Sequence, residues 1–65
     1  MKNATLIAQS EEIRFWRVGD EVYRTTGSTA PDSYGLPMGR RYECSISHWE
    51  RFRDLFAWAQ DVSAA

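Results

Sequence analysis

The stretch SHWERFRDLFAWAQ, Ser47 to Gln60, decides how this chain is read, because it combines a helix start with a helical apolar stripe. Ser47 and Glu50 have the spacing of a capping box. The serine oxygen accepts from an amide one turn in, and the glutamate reaches back to the serine amide. At about 100° per residue, Trp49, Phe52, Leu55, Phe56 and Ala59 fall within one broad stripe, and Glu50, Arg53, Asp54 and Ala57 lie elsewhere. The spacing predicts an amphipathic helix over 47–60 that must bury its stripe against other elements.

Immediately upstream, RRYECSI (residues 40–46) alternates cleanly. Tyr42, Cys44 and Ile46 point one way and Arg41, Glu43 and Ser45 the other, which predicts a half-buried strand. Further back, IRFWRVGDEVYRTT (residues 13–26) holds two β-rich runs around Gly19-Asp20, a pair suited to a type II′ turn because glycine comes first. Strands 13–18 and 21–26 then pair Val18 with Glu21, Arg17 with Val22, Trp16 with Tyr23 and Phe15 with Arg24. One face carries Arg14, Trp16, Val18 and Tyr23; the other carries Ile13, Phe15, Arg17, Val22 and Arg24. A single helix covers only one of these faces. The other leaves aromatic and arginine side chains to solvent or to a partner.

Residues 3–9, NATLIAQ, suit a strand, and the sequence leaves open whether it joins the sheet. Residues 27–39, GSTAPDSYGLPMG, form a long loop. Ala30 and Leu36 are extended before proline, and Asp32-Ser33 favours an Asx-type turn. Gly27 to Ser33 reads as mobile, and Tyr34 to Gly39 as fixed to the body by Tyr34, Leu36 and Met38. The sum is one small α+β domain: an antiparallel sheet of three to four strands with a single C-terminal amphipathic helix packed on one face.

Sixty-five residues bury only about 60% of the unfolded surface. One cysteine forms no internal disulfide, so stability rests on an aromatic core or a partner subunit. A formal charge of −1 does not suggest a generic polyanion binder, yet seven of the eight basic residues are arginine. No apolar run approaches the 18 or so residues of a membrane span, and the N-terminus lacks a signal-peptide core. With a lone cysteine, the expectation is a cytoplasmic protein.

Catalytic and metal chemistry find little support. Cys44 and His48 straddle the strand–helix corner, but zinc wants four ligands and no second Cys/His pair exists. The carboxylates do not converge on one expected face, and no phosphate-cradling glycine loop is present. No cofactor, metal site or catalytic residue is expected. The arginines interleaved with aromatics carry the functional reading. Arg14, Trp16, Tyr23, Tyr34, Arg40, Arg41, Arg51 and Trp58 make a candidate partner-binding surface, because tryptophan, tyrosine and arginine dominate interface hot spots. The expectation is a non-enzymatic protein-interaction module, a regulator or inhibitor, with self-association into a homodimer as a variant. The alternative is a nucleic-acid-binding accessory protein using the arginine-bearing sheet.

Overall fold

The computed structural model describes residues 4–27 and 30–62. Five strands, β1 (Thr5–Ser10), β2 (Ile13–Val18), β3 (Glu21–Thr26), β4 (Arg41–Ser45) and β5 (Gln60–Asp61), form one antiparallel sheet in the order β4-β3-β2-β1-β5. A short helix, α1 (Ile46–Arg51), and a 3-10 turn, Arg53–Phe56, connect β4 to β5. The arrangement is α+β, with five strands where three to four were expected. Thr5–Ser10 is the strand expected as a possible fourth at 3–9, and Asn3 lies outside the described residues. The fifth is β5, which occupies the end of the expected helix.

The central hairpin follows directly from its turn. Gly19 has φ 63° and Asp20 a negative φ, the combination of a II′ turn. The register is Val18 with Glu21, Arg17 with Val22, Trp16 with Tyr23 and Phe15 with Arg24. Cross-strand partners share a face, so Phe15 and Val22 lie together on the side that α1 covers. Both are fully buried, with Ala8, Cys44, Trp49 and Ala59 around them. The Phe15 ring lies 4.9 Å from Trp49, 5.6 Å from Phe56 and 5.4 Å from Trp58, centroid to centroid. Burying such a ring contributes about 1.5–3 kcal/mol, and each aromatic pair roughly 0.5–1.5 more. Against a total near 3–10 kcal/mol for a domain of this length, Phe15 is the keystone.

Two bulges explain where simple alternation fails. In β1, Leu6 pairs with Trp16 but Ala8 with Phe15, so Ile7 is an extra residue. Leu6 therefore shares a face with Trp16 and Ala8 a face with Phe15, and the unbroken apolar run Leu6-Ile7-Ala8 serves both sides. In β4, Tyr42 pairs with Tyr23 and Cys44 with Val22, making Glu43 the extra residue. Tyr42 and Cys44 were expected side by side. The bulge instead sends Tyr42 to the face of Trp16 and Tyr23, where it is 57% exposed, while Cys44 is buried.

The helix is shorter than its stripe predicts and starts earlier. Ser45 is the N-cap, its Oγ accepting from the His48 amide at 3.2 Å, so the third helical position holds His48 and the Ser47–Glu50 capping box is not formed. Phe52 leaves helical geometry at φ −112°, ψ 36°. Short helices are marginal on their own, and ending this one lets the chain return to pair Gln60 with Gln9 and Asp61 with Ala8. Trp49 and Ala59 remain buried and Phe56 packs on the core, whereas Phe52 and Leu55, expected within the buried stripe, are exposed.

Candidate functional site

The face opposite Phe15 carries Arg14, Trp16, Val18, Tyr23, Thr25 and Tyr42. Its polar groups are satisfied locally. The Trp16 indole donates to Thr25 Oγ1 at 2.8 Å, and the Tyr23 hydroxyl donates to Glu21 at 3.1 Å. Burial, followed by that hydrogen bond and the Glu21 charge, pushes the Tyr23 phenol above its ordinary 10.0. Tyr23 and Tyr42 meet edge to face at 5.7 Å. Tyr23 is half-buried, so Tyr42 supplies most of the exposed ring.

The 30–40 segment forms one border of this face. Asp32 organises it: its Oδ1 accepts from the Tyr34 and Leu36 amides at 2.8 and 3.0 Å, and its Oδ2 from Arg40 at 2.7 Å. The Asx turn expected at Asp32-Ser33 is this cluster. A bridge between Pro31 and Pro37 and a 2.9 Å bond from the Met38 amide to the Ala30 carbonyl close the loop. Residues 30–33, expected to move freely, are thus bonded on both sides; Ser28 and Thr29 lie outside the described residues. Pro31, Gly35 and Pro37 line a groove of about 130 Å³ with Ala4 and Trp16, which sets the loop against the sheet. The loop carries Tyr34 and Met38 outward, 64% and 56% exposed.

The eight residues singled out in the sequence therefore divide. Trp16, Tyr23 and Tyr34 belong to this face and its loop. Arg14 donates to the Gly27 carbonyl at 2.9 Å, and Arg40 bonds Asp32 and the Pro37 carbonyl, so both guanidinium groups hold the loop. Arg41 points elsewhere, paired across the ladder with Arg24. Arg51 is exposed on α1 with its guanidinium 5.5 Å from the Phe52 ring centroid. Trp58 packs on Phe15 and stays 49% exposed, on the opposite side of the sheet from Trp16. One continuous surface joining Trp16 to Trp58 is not formed. On the Trp16 face and its loop, Tyr42 and Met38, which sequence reasoning left out, are with Tyr34 the exposed large hydrophobic residues. The β4 bulge hid Tyr42, and strict alternation gave no signal for it.

Cys44 is buried under the sheet, and burial with the nearby Glu43 charge raises its thiol above 9.0, opposite to the shift that activates a nucleophile. His48 is exposed and packs at 4.6 Å on Phe52. Among the described residues, no three His, Cys, Asp or Glu side chains cluster as metal ligands, and no helix is long and apolar enough to cross a membrane. Comparison with protein families, curated proteins and solved structures gives no match.

Proposed function

We propose that this chain is a small protein-binding module, a regulator or inhibitor of its partner, with Tyr42 at the centre of the contact surface. The observation that carries this reading is the placement of Tyr42. Its ring is mostly exposed, braced edge to face by Tyr23, on the one sheet face without a helix and beside a loop presenting Tyr34 and Met38. Aromatic rings held rigidly by neighbours lose little entropy on binding, and tyrosine and methionine are both enriched in interfaces. Asp32, Arg40 and Arg14 fix the loop in place, so the surface is organised before a partner arrives.

A nucleic-acid reading would need free guanidinium groups on this face to grip phosphate. Arg14 and Arg40 are instead engaged with carbonyls and a carboxylate, which favours a protein partner. Fluorescence anisotropy with labelled single- and double-stranded oligonucleotides separates the two. The proposal expects no binding at low salt. Micromolar affinity that falls steeply with salt would instead favour the nucleic-acid reading.

A further inference from the structure

Six of the seven arginines have an intramolecular partner. Arg14 bonds the Gly27 carbonyl, Arg17 the Gly19 carbonyl, Arg24 pairs with Glu43, Arg40 with Asp32, Arg53 with Asp61, and Arg51 lies over Phe52. Arg41 has none among the described residues, and the residue directly across the ladder from it is Arg24. Like charges opposite one another destabilise a sheet. The carboxylate paired with Arg24, Glu43, is 3.6 Å away, longer than the 2.7–2.9 Å or so of a charge-assisted hydrogen bond. Arg24 and Arg41 line a cavity of about 370 Å³ with Thr25, Thr26 and Gly39. Thr25 is buried and its hydroxyl accepts from Trp16, whereas Thr26 is exposed.

We propose that this cavity is a binding site for a phosphate monoester. Two guanidinium forks match the oxygens of one phosphate, and their two positive charges match its charge of about −1.5 to −2 at neutral pH. Thr26 adds a hydroxyl donor. The cavity has the volume of about a dozen waters, which leaves room for the group the phosphate is attached to. A phosphodiester carries a single charge and fits this pair less well. Glu43 competes with the ligand for Arg24. The Arg24–Arg41 pair lies on the sheet face opposite Tyr42, and the proposal does not rest on the protein-binding surface.

The test is NMR titration of the labelled full chain with inorganic phosphate, phosphoserine and a dithymidine phosphodiester. The two phosphates should give saturable shifts at Arg24, Thr26, Gly39 and Arg41 in the millimolar range, and the diester should bind at least tenfold more weakly. Arg41→Gln should weaken binding about tenfold with the spectrum still folded, Glu43→Gln should tighten it several-fold, and Arg51→Gln should change nothing. Linear shifts without saturation, shifts spread over all arginines, or unchanged binding by Arg41→Gln would each overturn the site. Diester binding as tight as that of phosphoserine would assign the cavity to a nucleic-acid backbone and overturn it too.

Discussion

The Arg53 guanidinium lies over the buried Trp49 ring, 4.8 Å from its centroid. From there it donates to the Phe56 and Ala59 carbonyls and to the Asp61 carboxylate, the last two at 2.7 and 2.8 Å. One side chain therefore links the helix, the 3-10 turn and β5. It satisfies carbonyls that a continuing helix would have bonded to its own amides.

Replacing Arg53 with alanine removes charged hydrogen bonds to two partly buried carbonyls, worth about 2–3 kcal/mol together. Urea unfolding should show that loss. Amide exchange should show early opening at Val62, whose amide donates to the Ile7 carbonyl at 3.1 Å. Arg53→Lys should not rescue it, because an ammonium lacks the planar fork that reaches three acceptors.

Glu11, in the two-residue turn between β1 and β2, has φ 51°, a left-handed conformation with no glycine to ease it. For a non-glycine residue this costs about 1–2 kcal/mol, part of which a glycine returns as unfolded-state entropy. Glu11→Gly should stabilise the domain by up to about 1 kcal/mol, read as a rise in Tm of several degrees. A lower Tm would contradict the turn geometry.

The Arg40 ion pair, then the amide of Leu36 and that of Tyr34, hold the Asp32 carboxyl below its ordinary 3.8. The folded state therefore binds this proton less readily than the unfolded state does. The loop's contribution to stability is present above the unfolded value and is lost as pH falls through the lower folded one. A carboxyl-detected NMR titration should place the Asp32 midpoint below 3.8, with the Tyr34 and Leu36 amides shifting in step. Asp32→Asn keeps the amide acceptor but loses the Arg40 pair, and should remove this acid dependence.

How far the sequence reached is visible in particular residues. The Gly19-Asp20 turn and the two faces of the 13–26 hairpin were legible, because a two-residue loop fixes register and period-two alternation fixes the face. Asp32 was legible for the same reason, as turn chemistry is local. The bulges at Ile7 and Glu43 were not, since an extra residue is set by the neighbouring strands. The Tyr42 surface was lost with them. The 47–60 stripe misled because Trp49, Phe56 and Ala59 satisfy helical spacing yet reach the core through a broken path that Arg53 stabilises from outside.

Relieving the Arg24–Arg41 opposition should also register without any ligand. Arg41→Gln in phosphate-free buffer should raise stability by a few tenths of a kcal/mol, measured by urea unfolding at low salt. The gain should shrink as salt screens the pair.

The most direct measurement of the central claim is affinity capture with three folded baits, the unaltered chain, Tyr42→Ala and Leu55→Ala, quantified by mass spectrometry. Leu55 is 66% exposed on the opposite side and serves as the control. A hot-spot truncation of about 2 kcal/mol corresponds to roughly thirtyfold in affinity. One protein, this chain or another, should be retained by the unaltered and Leu55→Ala baits and lost by Tyr42→Ala. Equal retention by Tyr42→Ala, or loss with Leu55→Ala instead, would contradict it.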